Sequence, residues 1–222
     1  MKLNRLEFWL MNHPLRGVIQ ERFEVKTLRR LAAPAAIGTA LEIGCGSGRG
    51  AGLIRTHFAP ARLFAVDLDE RMVALARRRN ICPDTSFAVM DAARLGFPDG
   101  SFDAVFDFGI IHHVPDWREC LAELYRVLAQ GGRLYLEEPS VESFQRGPGR
   151  VWRALLDHPY DRMFTIPEFK EGLAEAGFAI CAFRESNPLR LFRIFSLVAE
   201  KAGTPQVFAS PCLSAPQRAG LA

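Results

Sequence analysis

Residues 41–48 read Leu41-Glu42-Ile43-Gly44-Cys45-Gly46-Ser47-Gly48, and this stretch sets the fold. The apolar run Ala40–Ile43 has the length of a buried strand and is stopped by glycines at alternate positions. Such glycines let the chain turn sharply, and they let a ligand lie against backbone where a Cβ would clash. The turn feeds a helix whose first N–H groups favour a negative or polar ligand group. In an open α/β sheet this junction lies in the crevice beyond the carboxyl ends of the strands.

Working outward, strand-like and helix-like segments alternate, as in a parallel sheet with helical crossovers. Arg62–Val66 runs apolar up to Asp67, Ser86–Met90 up to Asp91, Phe102–Phe108 is a fourth run, and Arg133–Leu136 follows the Gly131-Gly132 turn. Helical spacing of apolar residues predicts helices over Glu70–Arg79 and Trp117–Leu128. Strands flanked by helices are buried on both faces, which suits continuous apolar runs. Beyond Pro139 the chain is polar and interrupted, with Trp152, Leu155, Leu156, Tyr160 and Phe164 as apolar anchors. Thr165 can cap a helix with Pro167 and Glu168 in its first turn, and Gly177 can end it. Phe178–Arg184 and Leu191–Glu200 read as a closing antiparallel pair, and the proline-containing tail 203–222 is expected to be disordered.

At 222 residues the chain has the size of one domain with a cap and a tail. Hydrophobic residues at 49% and charged residues at 24% match a globular protein and exclude a disordered or fibrous one. No stretch has the length of a membrane span and the N-terminus has no signal-peptide pattern, so the expected setting is the cytosol. The five cysteines (Cys45, Cys82, Cys120, Cys181, Cys212) form no Cys-x-x-Cys pair, so neither a disulfide framework nor a metal site is expected. The formal charge of +3 is too small to imply a nucleic-acid partner. Residues 1–30 carry seven Lys/Arg against Glu7, Glu21 and Glu24, a basic segment that reads as a solvated helix face.

Asp67, 19 residues after Gly48, ends the second strand where a carboxylate can accept from both hydroxyls of a ribose. A nucleoside-bearing ligand follows. The dinucleotide pattern Gly-x-Gly-x-x-Gly is absent, because Arg49 stands where the third glycine would be. Glu42 would repel a pyrophosphate and suits an ammonium or sulfonium, so an adenosyl-amino acid is favoured over NAD.

At this point the sequence resembles the class I S-adenosylmethionine-dependent methyltransferases, in particular the small-molecule group that includes the ubiquinone/menaquinone C-methyltransferases. The resemblance runs from about Ala40 to Leu136 through "LEIGCGSG", "FAVDLDERMVALAR", "FAVMDAARLGFPDGSFDAVF" and "HHVPDWRECLAELYRVLAQGGRLYLEEP". It implies a Rossmann-like, seven-stranded, mostly parallel sheet with an antiparallel last strand and helices on both faces. It also implies S-adenosylmethionine as cofactor and a small-molecule acceptor. Carried over by position, Gly44, Cys45, Gly46 and Gly48 would line the methionine and ribose portion, and Glu42 would orient the amino group. Asp67 would bind the ribose and Leu68 would pack on adenine. Asp91 and Ala92 would contact the adenine edge, and Phe108 and Gly109 would present backbone to the methionine end.

His112 and His113 follow the fourth strand, where a histidine could take a proton from an acceptor, and His112 is expected nearer the cofactor. His13, His57 and His158 carry no partner pattern. Residues 1–31 read as short helices broken at Pro14 that lid the crevice or cover the sheet, ahead of a methyltransferase domain over 32–202. The insert 140–164 could complete the acceptor pocket through Trp152, Tyr160 and Phe164. Two rival readings are a nucleic-acid methyltransferase and a regulatory protein that keeps the cofactor without catalysis. The first lacks its usual (Asp/Asn)-Pro-Pro-aromatic element, with Phe108-Gly109-Ile110-Ile111 in its place. Oligomeric state and the acceptor atom are open at this level.

Overall fold

The structure, a computed structural model, describes residues 20–32, 36–79, 82, 84–145, 149–150, 153, 159–187 and 193–202. A π-helical turn, Gln20–Val25, runs into α1, Lys26–Leu31. Then follow β1 (Thr39–Ile43), α2 (Arg49–Phe58), β2 (Arg62–Asp67), α3 (Glu70–Arg79), β3 (Thr85–Val89), β4 (Phe102–Phe108), α4 (Trp117–Val127), β5 (Leu128–Pro139), α5 (Ile166–Ala176), β6 (Phe178–Ser186) and β7 (Ile194–Lys201). The strands form one sheet in the order β3-β2-β1-β4-β5-β7-β6. β7 is antiparallel to both β5 and β6, and the other pairs are parallel, as expected from the resemblance.

Alternation along each strand divides the core between two faces. Leu41, Ile43, Val105, Leu134, Leu136 and Leu197 pack with Trp117, Leu121, Leu124, Phe169 and Leu173 of α4 and α5. Ala40, Ala104, Phe106, Tyr135 and Val198 pack on the opposite side with Leu28, Ile54 and Phe58 of α1 and α2. Both faces are therefore covered, which is why β1 is buried along its whole length despite carrying Glu42. α4 and α5 approach closely: a side-chain carbon on Gly172 would stand 2.5 Å from the Trp117 ring.

α5 begins where its sequence signals place it. The Thr165 hydroxyl accepts from the N–H of Glu168, and a Glu168 carboxylate oxygen accepts the Thr165 N–H at 2.8 Å. The Thr165 N–H, together with the Thr165 hydroxyl donating to the same oxygen at 2.7 Å, holds the Glu168 carboxyl below its ordinary range. Gly177 closes the helix at a φ of 98°, in the left-handed region.

Three expectations change. β5 starts at Leu128 directly after α4 and passes through Gly131-Gly132, with a register shift against β4 between Phe102 and Ala104. β7 begins at Ile194, and the expected start at Leu191 lies outside the described residues. Phe164 does not line an acceptor pocket: it is fully buried in the main core, 5.2 Å from Trp117 and 4.4 Å from Phe169 between ring centroids. Tyr160 joins a small cluster with Val141, Phe144 and Met163, and Trp152 lies outside the described residues.

The N-terminal segment divides by role. α1 covers the sheet on the side of β5, β6 and β7, whereas Gln20 of the π-helical turn reaches the cleft described below. The expected break at Pro14, the basic residues before Gln20 and the tail 203–222 lie outside the described residues. No helix among the described residues is long and apolar enough to cross a membrane.

Candidate active site

The order of the strands reverses direction between β1 and β4, and a cleft of about 200 Å³ opens beyond their carboxyl ends. Gly44, Cys45, Gly46 and Ser47 of the β1–α2 turn, with Arg49 and Gly50 at the start of α2, form its floor, whereas Gly48, expected there, is set back from the cleft with Ala76 and Phe87 where its side chain would be. Gly44, Gly46 and Gly48 all have positive φ, 64°, 51° and 84°. A side-chain carbon on Gly44 would stand 2.2 Å from Ile110 Cγ2, so only glycine lets the turn after β4 close over it. Gly46 has open space where its side chain would be, and that space belongs to the cleft. The Cys45 N–H donates to the Val66 carbonyl at 2.9 Å, tying the turn to β2.

Glu42 is 2% exposed, and one carboxylate oxygen accepts the N–H of Ala51 in the first turn of α2. Its Oε2 is buried without a hydrogen-bond partner. Burial, reinforced by the charges of Asp67 and Asp107, pushes its pKa up to about 8. An orphan acidic oxygen in a cleft wall is expensive unless a donor or cation arrives to meet it.

Asp67 closes β2 with its carboxylate already oriented. Oδ2 accepts the Gly46 N–H at 2.8 Å and Oδ1 the Asp69 N–H at 2.8 Å, while burial raises its pKa. Each oxygen keeps a second lone pair for a ligand hydroxyl. Leu68 beside it is 39% exposed, an apolar side chain held open at the cleft. Asp69, 2% exposed, pairs with Arg71 at 2.5 Å and so neutralises the charge next to Asp67.

Asp91 and Ala92 line the cleft after β3. Asp91 also holds its own turn, Oδ1 accepting the Ala93 N–H at 2.9 Å, so the turn-forming and ligand-facing positions coincide. Phe108, Gly109 and Ile110 form the wall after β4. Burial and the nearby carboxylates of Glu42 and Asp67 push the Cys45 thiol well above its ordinary range, so Cys45 is a wall element rather than a nucleophile.

The two histidines separate in an order opposite to the expected one. His113 lines the cleft together with Val114, Pro115 and Asp116. His112 is 6% exposed, points behind the wall and lies with Nδ1 2.6 Å from Oε2 of Glu138. His57 faces Glu21 at 4.0 Å, away from the cleft, and His13 and His158 lie outside the described residues. Among the described residues no cluster of three or more His, Cys, Asp or Glu could hold a metal.

The sequence reading therefore missed Gln20, Met72, Met90 and Ile110 as wall residues, and it missed the buried acids Asp107 and Glu138. The acids had a visible signal, namely charges embedded in the apolar runs at the carboxyl ends of β4 and β5. The apolar wall residues had none, since only tertiary structure separates them from ordinary core.

A buried acid with an unpartnered oxygen for a cation, a carboxylate for paired hydroxyls, an exposed leucine for a flat ring and a glycine floor form one donor set. It fits an adenosyl-amino acid. Residues 41–136 match the family model described as a methyltransferase domain. A fatty-acid O-methyltransferase of Mycolicibacterium smegmatis is 35% identical over 168 residues, 75% of this chain and 54% of its own. A phthiotriol/phenolphthiotriol dimycocerosates methyltransferase of Mycobacterium tuberculosis is 34% identical over 113 residues, 50% of this chain and 42% of its own. The chain spans about half the length of these curated relatives. Among solved structures, the phosphoethanolamine N-methyltransferase 2 of Haemonchus contortus in complex with S-adenosyl-L-methionine superposes with a TM-score of 0.67. It is 20% identical, over 81% of this chain and 52% of that one.

Proposed function

Residues 41–136 match the methyltransferase-domain family model, and from that match we propose that the protein transfers a methyl group from S-adenosylmethionine to a small-molecule acceptor. The observation that carries this reading is Glu42 Oε2, a buried acidic oxygen with no partner at the glycine turn. Glu42 would receive the amino group, Asp67 the ribose hydroxyls, Leu68 a face of the adenine and Asp91 with Ala92 its edge. The backbone of Gly44, Gly46, Phe108 and Gly109 would surround the methionine portion. When bound, the cofactor supplies an electrophilic methyl on a sulfonium.

The chain's own task is then alignment and exclusion of water. Holding an acceptor in line with the sulfur–methyl bond can provide roughly 7–11 kcal/mol of barrier reduction. Phe108, Ile110, Val114 and Pro115 give the wall an apolar surface that keeps water out. His113, on the cleft wall, would take a proton from the acceptor, with His112 supporting it from behind the wall.

Two lines support an apolar acceptor. The sequence resembles quinone C-methyltransferases, and relatives above 30% identity are named for fatty acids and for phthiotriols. The test is turnover of S-adenosylmethionine, read as S-adenosylhomocysteine formed, against long-chain fatty acids, long-chain diols, quinols and a single-stranded oligonucleotide. Turnover with an apolar small molecule is expected. Turnover with the oligonucleotide alone, or cofactor binding without turnover on any of them, would overturn the proposal. His113→Gln should leave S-adenosylhomocysteine affinity unchanged and lower turnover by roughly 10²–10⁴-fold.

A further inference from the structure

Behind the His113 side of the cleft, two parallel strands end in buried acids that capture one short turn. The backbone N–H groups of Ile110, Ile111 and His112 are consecutive. Asp107 Oδ1 accepts the first at 2.9 Å, and Glu138 Oε1 accepts the second at 2.5 Å and the third at 3.4 Å. The other oxygen of Glu138 lies 2.6 Å from Nδ1 of His112. Glu138 is fully buried and His112 nearly so, so water does not mediate this contact.

The His112 ring in turn lies against the His113 ring, with centroids 4.1 Å apart and planes at 36°. Its Cε1 lies 3.8 Å from where a side-chain carbon on Gly109 would stand. Gly109 and His113 are both cleft wall. A buried carboxylate costs desolvation, and an apolar residue at position 138 would pack a core without that cost. What the acid adds is orientation: it fixes the turn by its backbone bonds and one edge of a ring by its second oxygen.

We propose that Glu138 is a positioning residue for the acceptor side of the cleft, sharing one proton with Nδ1 of His112 so that His112 sets the ring of His113. This rests on the reading of the cleft as a methyl-transfer site. Glu138 touches neither acceptor nor cofactor and acts through the turn it holds and through the two histidines, with the Asp107 carboxyl as a hydrogen-bonding neighbour.

Glu138→Gln separates this role from simple packing. The Ile111 N–H requires an oxygen at the Oε1 position, so the amide must turn its NH₂ group toward Nδ1 of His112. The ring must then accept there and carry its proton on Nε2. Long-range ¹H–¹⁵N correlation spectra of histidine-labelled protein read both rings directly, with and without S-adenosylhomocysteine. The wild type should show the His112 Nδ1 proton far downfield. Glu138→Gln should lose that resonance, move the His112 proton to Nε2 and shift the His113 signals, while S-adenosylhomocysteine affinity stays the same. Turnover with the acceptor that reacts in the panel above should fall by up to roughly 100-fold, the scale of a misplaced reacting group. A His112 tautomer unchanged by the substitution, or changed with His113 signals and turnover unaffected, would overturn the proposal. Should Glu138→Gln fail to fold, His112→Gln keeps the acid's backbone bonds and must still shift the His113 signals; unshifted signals would equally overturn it. Failure of the wild type to bind S-adenosylhomocysteine would instead count against the cofactor reading, since the ligand-free spectra decide the histidine arrangement independently.

Discussion

If Glu42 meets the amino group of the cofactor, binding must pull a proton off it. Ligand-free, its pKa is about 8, against an ordinary value of 4.5, because burial and the neighbouring Asp67 and Asp107 penalise the charge. At pH 6.5 the carboxyl is therefore almost wholly protonated, while an α-amino group of ordinary pKa is charged. Ionising it there costs about 2 kcal/mol, worked from the 1.5-unit gap, and lowers affinity roughly 30-fold below that of the ionised form. Calorimetric titration with S-adenosylhomocysteine at pH 6.5, in two buffers of different ionisation enthalpy, counts the protons released. The wild type should release roughly one more than Glu42→Gln, whose amide can still accept the Ala51 N–H but carries no titrating proton. The comparison matters because Asp67, also raised, can release a fraction of its own. The same shift has a stability sign. Between 4.5 and about 8 the native state holds a proton that the unfolded chain has lost, so Glu42 makes the ligand-free fold less stable as pH rises through that window. Equal proton release by wild type and variant would refute the reasoning.

Asp67→Ala removes the expected acceptor of two ribose hydroxyls, and S-adenosylhomocysteine affinity should fall by roughly 1.5–3 kcal/mol in calorimetry; a folded variant of wild-type affinity would contradict the assignment. Gly44→Ala forces a side chain into Ile110 at a φ of 64°, so urea denaturation should show a loss of about 1–3 kcal/mol together with lost cofactor binding. Wild-type stability there would mean that the turn after β4 does not close on the glycine floor. Thr165→Ala breaks the capping box of α5 and should cost about 1 kcal/mol in the same assay without changing cofactor affinity.

The sheet was legible because its signals are local. β1, β2 and β4 are apolar runs that stop at glycine or aspartate, and α5 carries its cap and its terminating glycine in the sequence itself. One wall of the cleft was legible for the same reason, since Glu42, Gly44, Gly46, Asp67 and Asp91 all sit at strand ends. The placement of His112 and His113 was not. Two adjacent residues on a 3₁₀ turn point in different directions, and the one turned from the cleft meets Glu138, 26 residues further on in the neighbouring strand, a contact that no local pattern marks. Phe164 misled for a related reason. An aromatic in a polar stretch reads as a loop anchor, yet here the chain returns to the sheet and buries the ring between α4 and α5. Gln20 could not be singled out, because its approach to the cleft depends on how a π-helical turn packs beside α2.

The central claim is that this cleft holds an adenosyl-amino acid with its reactive end toward His113. A crystal structure of the full chain grown with S-adenosylhomocysteine tests it most directly. The account predicts both ribose hydroxyls within hydrogen-bond distance of Asp67, the amino group on Glu42 Oε2, the adenine between Leu68 and Ala92, and the sulfur facing an open space bounded by His113 and Gln20. Density for the ligand elsewhere on the protein, or in the cleft with its amino group turned away from Glu42, would contradict it.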